Sequence, residues 1–373
     1  MPFGEGFFIY RVLSGRKEEI SRMETIRLLQ PPEYTMEERE ALVDFVLAFR
    51  KSHIRDFLKE VDLPVSGTKP ELRSRLQDAL KDNGLAYERL VDFLDSVAPW
   101  GKQHVFLYTG PRGDMKAWKE PHHVLGLLKQ HRLGKIFNAR LPLILPDRLT
   151  LSSVAHSENR LRINAVQKRE YTERTPEHDE NKETEDSERI TLKAYRHHLT
   201  RTLTAFEWDL NANVAMLQIT QLQRDGDYEH VAGELFRLVN PWLDVGQFGA
   251  VDLRPVIDRL HEREKNGQAE TRSHVIHYQS PRGRRVSAHS PSARDSVLGE
   301  DFIDNAMDGV RKNGVGHLGN FYWLPRIKPG PVPNPLKGDV HVIIVGAKSR
   351  VNFPTPNTEE TVRYVLHRVR ELN

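Results

Sequence analysis

Metal-assisted cleavage of a phosphodiester needs two or more carboxylates on neighbouring strands, with a lysine close by. Asp114-Met115-Lys116, just after the apolar run QHVFLY, has the acid-x-lysine spacing, and Glu180-Asn181-Lys182 repeats it inside an acidic stretch. Neither has an upstream acid on a partner strand, because Asp92 and Asp95 fall on a helical pattern. The chain holds 17 histidines but no His-Glu-x-x-His helix. His122-His123 and His197-His198 are adjacent, and His274 and His277 differ by an odd number; on a strand each such pair points to opposite faces. Gly-x-x-x-x-Gly-Lys and Gly-x-Ser-x-Gly are both missing. Gly314, Gly316 and Gly319 (NGVGHLGN) lack the strand-then-helix setting of a phosphate loop and read as a turn. Without cysteine, disulfides, thiolate metal sites and thiol catalysis are excluded. The expectation is no catalytic residue, no metal and no cofactor.

Chemistry of another kind is legible between Arg50 and Asn83. Ile54, Phe57, Leu58 and Val61 form one apolar helical stripe, and Leu72, Leu76, Ala79 and Leu80 form a second. Leu63 lies between them. Pro64 is expected to stop the first helix, and Ser66-Gly67 to supply the turn. Thr68 is placed as an N-cap, followed by Pro70, whose missing N–H is harmless in a first turn, and by Glu71, which suits the positive end of the helix dipole. Free backbone N–H groups at such a helix start, beside Lys69, make an anion site suited to phosphate.

This stretch resembles a SAP module, a helix-extended turn-helix unit that binds DNA. The matching residues are Leu58, Leu63, the run Ser66-Gly67-Thr68-Lys69, Glu71-Leu72 and Arg75-Leu76. The resemblance covers about a tenth of the chain. It implies double-stranded DNA contacted through Ser66, Gly67, Thr68 and Lys69 at the helix start and through Arg73 and Arg75 on the helix.

The whole chain has 373 residues, enough for two or three domains. Apolar residues make up 38% and charged residues 29%, nearly balanced at a formal net charge of +3, with a mean hydropathy of −0.58. Any positive field must therefore come from local clustering. No apolar run approaches the ~18 residues of a membrane-spanning helix, and no signal-peptide pattern opens the chain, so no membrane association is expected. The missing cysteine agrees with an intracellular, DNA-associated location.

The fold class expected is α+β, with a small N-terminal helical domain and a larger body of antiparallel sheet and flanking helices. Residues 1–34 read as a lead-in with a short strand over Phe7–Leu13, ended by Pro31-Pro32; Thr35 and Glu38 open a helix as a capping box. The helical unit spans 35–98 and the body 99–373. Strands are expected over 103–108, 141–145, 149–154, 160–168, 190–194, 202–208, 214–219 and 339–345. Helices are expected over 124–133, 228–243, 253–260 and 301–312, and at the C-terminus with Asn357 as cap. Residues 171–189 hold eight acids against three bases and read as a mobile acidic loop. Residues 263–294 hold seven Lys/Arg against two acids and read as a basic loop in which Arg282, Arg284 and Arg285 neutralise phosphates. In Phe321-Tyr322-Trp323, core filling is favoured over base stacking.

The function read from these features is non-catalytic DNA binding, with the body adding DNA or partner contacts. Beside it stand a metal-dependent nuclease and a structural subunit whose helical unit binds protein. A protein partner or a second copy of the chain is compatible with each.

Overall fold

The computed structural model describes residues 36–47, 49, 51–141, 145–183, 189–222, 226–268, 270–325 and 333–373. The expected strand over Phe7–Leu13, the Thr35/Glu38 capping box, most of the strand over 141–145 and much of the proline-rich connection after Arg326 lie outside the described residues. The fold is α+β.

Four helices come first: α1 (Met36–Leu47), α2 (Lys51–Glu60), α3 (Lys69–Lys81) and α4 (Tyr87–Val97). Ile54, Phe57 and Leu58 of α2 are buried against Leu72, Leu76 and Leu80 of α3. Leu42 and Val46 of α1 and Leu90 and Leu94 of α4 complete one continuous core. The helix α2 ends at Glu60, before Pro64 can act. Asp62 takes a left-handed conformation (φ 56°) and the Leu63 N–H donates to the Leu58 carbonyl at 2.8 Å, which closes the helix end with Leu63 packed on the core.

The body is built on β1 (Gln103–Thr109), near the middle of a large sheet. The other elements in chain order are α5 (Pro121–Gln130), β2 (Thr150–Ser157), β3 (Arg160–Arg174), β4 (Glu180–Glu183), β5 (Arg189–Leu192), β6 (Tyr195–Asp209), β7 (Val214–Thr220), α6 (Tyr228–Val239), β8 (Gly249–Ala250), α7 (Arg254–Lys265), β9 (Thr271–Gln279), β10 (Arg285–His289), α8 (Asp301–Asn313), β11 (Val315–Trp323), β12 (Val340–Val345), β13 (Arg350–Phe353) and α9 (Glu359–Glu371). Across the sheet the order is β10, β9, β11, β12, β13, β1, β7, β6, β3, β2, and every neighbouring pair is antiparallel.

The two halves of this sheet are covered on opposite faces. Val105 and Leu107 of β1 join a core with Val256 and Ile257 of α7, Val365 and Val369 of α9, and Phe321, Trp323 and Ile344 of the later strands. Phe106, between them, points the other way, into a core with Val124 and Leu128 of α5, Leu235 of α6, and Phe206 and Trp208. Period-two alternation in one strand thus feeds both layers.

Several expectations change. Of the glycine cluster, Gly316 and Gly319 lie in a strand, β11, not a turn, and Gly314 follows the end of α8. A Cβ at Gly316 would meet Ile257 Cβ at 2.7 Å, so glycine lets α7 lie directly on the sheet. The basic segment 263–294 is the end of α7 and an edge hairpin, β9–β10, not a loop. In the acidic segment β3 continues to Arg174, and β4 and β5 pair as a small separate hairpin. The last helix is capped by Thr358, whose Oγ1 accepts the Thr361 N–H at 3.2 Å, not by Asn357.

Side chains along α4 and just beyond it join the helices to the body. Trp100 is buried, and its carbonyl accepts the Asn357 N–H at 3.0 Å. The guanidinium carbons of Arg162 and Arg363 lie 5.8 and 5.1 Å from the centre of its indole ring. Both arginines pair with Glu207, at 2.6 and 2.7 Å, and Glu207 is only 4% exposed. Asp95 of α4 meets Arg201 at 3.4 Å, and burial pushes its carboxyl up to about 6 against the pull of that guanidinium.

Candidate nucleic-acid interface

The start of α3 depends on Gly67. Its φ is 128°, and a Cβ there would come within 2.9 Å of Glu71 Oε2. That carboxylate accepts the Thr68 N–H at 2.6 Å, which holds it below the ordinary carboxylate range, with Arg75 and Lys51 near enough to add to the effect. Pro70 has no N–H to offer. The helix start is therefore a poorer anion site than the sequence implies, because a carboxylate of the chain already occupies part of it.

The cations expected at this turn are engaged. Lys69 Nζ donates to the Leu47 carbonyl at 2.6 Å and so caps α1. Arg73 is ion-paired with Asp44 of α1. The Arg75 guanidinium donates to the carbonyls of Pro64 and Ser66, at 2.5 and 2.8 Å, and braces the turn from beneath. Ser66 and Thr68 are exposed. Each of these three cations thus also joins α1 to α3 or holds the turn in shape.

Lys51, Arg55 and Lys59 of α2 hold no carbonyl or acid in this way among the described residues, although Lys51 lies near Glu71. All three are exposed, and they make no ion pair among the described residues. Their four-residue spacing puts them on one face of α2. Sequence reasoning missed them, although this spacing was the signal that would have found them.

Arg282, Arg284 and Arg285 are brought together, at the turn of the β9–β10 hairpin. The Ser280 N–H donates to the Arg284 carbonyl and the Gly283 N–H to the Ser280 carbonyl, both at 2.8 Å. The three guanidinium groups are exposed and make no ion pair among the described residues. Other cations of that segment are spent internally: Arg263 pairs with Glu270, Lys265 with Asp308 and Arg272 with Asp339. The hairpin edge lies five strands from β1, roughly 24 Å at the usual strand spacing.

Asp114 caps its own turn, its Oδ1 accepting the Lys116 N–H at 2.9 Å, and both residues are exposed. Glu180 pairs with Lys182 on exposed β4. Among the described residues, no group of three or more histidine or acidic side chains is placed to hold a metal ion. Phe321 and Trp323 fill the core, whereas Tyr322 faces the other way and stacks on His341, with ring centres 4.8 Å apart.

What this geometry defines is a small helical bundle in which two helices and a tight turn carry basic groups on exposed positions. The SAP domain family model matches residues 47–81, which take in α2, the turn and α3. The SAP domain is a DNA-binding module. No curated protein matches the chain. No helix among the described residues is long and apolar enough to cross a membrane.

Proposed function

We propose that this is a non-catalytic DNA-binding protein that docks on the phosphates of duplex DNA through its helical region, with the α+β body adding contacts to DNA or to a protein partner. The observation that carries the reading is the SAP domain over residues 47–81, on which α2 presents Lys51, Arg55 and Lys59, exposed and in no ion pair among the described residues. Ser66, Gly67 and Thr68 form the turn that approaches phosphate, with the Thr68 N–H itself taken by Glu71. Lys69, Arg73 and Arg75 shape that turn and lend it charge. Arg282, Arg284 and Arg285 form a separate basic edge that serves the same polyanion or an acidic partner. The separate core of the helical region supports treating residues 35–98 as one domain and 99–373 as the body. An intracellular, DNA-associated location goes with this function.

The test is fluorescence anisotropy of the full chain with labelled duplex and single-stranded DNA, with and without Mg²⁺, followed by electrophoresis of the DNA. Duplex binding that weakens steeply with salt, on DNA that stays intact, is the expected result. No binding at low salt, or Mg²⁺-dependent cleavage, overturns the reading.

A further inference from the structure

The strongest unexplained charge on the body lies between Arg112 and Arg140. This segment has seven Lys/Arg and only two acids, Asp114 and Glu120. Lys119 hydrogen-bonds Asn211 at 2.6 Å, and Arg140 lies 3.9 Å from Asp92. Arg112, Lys116, Lys129, Arg132 and Lys135 are exposed and make no ion pair among the described residues. Lys129, Arg132 and Lys135 form a compact group. The Arg132 N–H donates to the Lys129 carbonyl at 3.1 Å, and Gly134 sits against the Lys129 side chain, where a Cβ would come within 3.0 Å of Lys129 Cγ. Lys135 follows at once in a single 3₁₀ turn.

The backbone at Arg132 gives a second, independent observation. Its φ is 61°, at the position just past α5 where the Leu133 N–H reaches back to the Leu128 carbonyl at 2.7 Å. Glycine or asparagine is the usual choice there, because a Cβ is strained in the left-handed region. The other non-glycine residues with positive φ among those described are Asp62, Asn83, Asn138, Asn213 and Ser349, all short polar types. Among the described residues only Arg132 puts a long cation in such a conformation, and strain of this kind is characteristic of functional positions. Helix capping does not explain the charge, since the backbone N–H groups of His131, Arg132 and Leu133 already serve the last carbonyls of α5.

This group is linked across the surface to the basic face of α2. Glu60, beside Lys59, pairs with Arg89 of α4 at 2.9 Å. Asp92, three residues on and on the same side of α4, faces Arg140. From Arg140 to Lys135 the chain spans at most ~18 Å.

We infer that Lys129, Arg132 and Lys135, with Arg140, form a second phosphate-binding surface on the body, contacting the same DNA duplex that the helical region docks on. The inference rests on the DNA-binding reading above and assigns the body its share of the contact. Phosphate contacts of this kind position the protein and carry no sequence preference.

The experiment compares three full-length proteins by salt titration of duplex binding: wild type, Lys129→Gln/Arg132→Gly/Lys135→Gln, and Lys51→Gln/Arg55→Gln/Lys59→Gln. Each lost phosphate contact lowers the log–log salt slope by ~0.9, so the first variant should lose up to ~2.7. Arg132→Gly alone should lower the slope by ~0.9 while raising the melting temperature, because it relieves the left-handed strain. A residue with a purely structural role would not move stability and affinity in opposite directions. If wild type binds duplex DNA and the α2 variant weakens it, but the body variants match wild type in slope and affinity, the second surface is refuted and the DNA-binding reading stands. If wild type binds no duplex, both fall.

Discussion

Lys51, Arg55 and Lys59 allow a quantitative test. Eight residues separate the first from the last, so the row is ~12 Å long. Duplex DNA carries one phosphate charge per ~1.7 Å of its axis, which leaves room for each cation to meet its own phosphate. Replacing all three by glutamine should reduce the log–log salt slope by about 2.7. Between 50 and 200 mM salt the wild type should then lose ~40-fold more affinity than the variant. Stability should stay within ~0.5 kcal/mol, because the three side chains are exposed and in no ion pair among the described residues and glutamine is a good helix former. The assay is anisotropy on a labelled duplex across the salt range, with thermal melting of each protein as the control for folding. An unchanged slope in a folded variant, with wild type binding normally, would refute the assignment of α2 to the DNA. The Lys69/Arg73 pair is a less direct probe. Both side chains tie α3 to α1, and removing the Lys69–Leu47 bond alone should cost about 1 kcal/mol.

Other expectations follow from particular contacts. Glu207→Ala should cost about 3–5 kcal/mol in urea unfolding, because it removes the buried carboxylate that pairs with the largely buried Arg162; a cost under 1 kcal/mol would contradict the ion-pair account. Burial raises Asp258 from the ordinary 3.8 to about 6, so the folded state favours its protonated form. Its ionisation therefore opposes folding above pH ~6, and acidification through the window from 6 towards 3.8 relieves that penalty. Asp258→Asn should accordingly be more favourable, relative to wild type, at pH 8 than at pH 4, by about 1–2 kcal/mol once screening of a partly exposed group is allowed for. Equal effects at both pH values, read from denaturation midpoints, would exclude the linkage. Replacing residues 176–193 by a short turn should leave duplex affinity unchanged or higher. The Thr175 N–H already donates to the Ala194 carbonyl at 3.1 Å to close the strand ends, and the removed segment is acidic; a large loss of affinity in a folded deletion would count against it.

The helices were legible because their signal is local. Leu72, Leu76 and Leu80 repeat within three turns of one helix, and each is buried where the spacing places it. The strands β1 and β7 were legible as apolar runs, but not their partners: nothing near Gln103 announces pairing with Phe353. Gly316 was misread because the sequence cannot distinguish a glycine that bends the chain from one that lets a helix approach it closely, and Gly319 because nothing local announces that the Phe321 ring lies against it. At the candidate site, the turn and its glycine could be read, but the engagement of its cations could not. Whether Arg73 is free or paired depends on Asp44, 29 positions earlier and on another helix. The hairpin at 280–285 was hidden because charge dominated its composition, while the β-forming residues around it were few.

Pairing of Gln103 with Phe353 also sets an order of assembly. On a ribosome, the helical region emerges complete before any of the body and can close its own core from neighbours within about 60 residues. The strand β1 follows at once and finds β7 after roughly a further hundred residues; β8 then covers Tyr108 and Thr109 on its other flank, but Gln103–Phe106 stay open until β13 is made. The second core, which draws on α9, must wait as long. Contacts so distant in sequence form slowly and leave an unpaired strand exposed in the meantime. A nascent chain of this protein therefore carries a finished helical bundle on an unfinished sheet until β13 and α9 have been made.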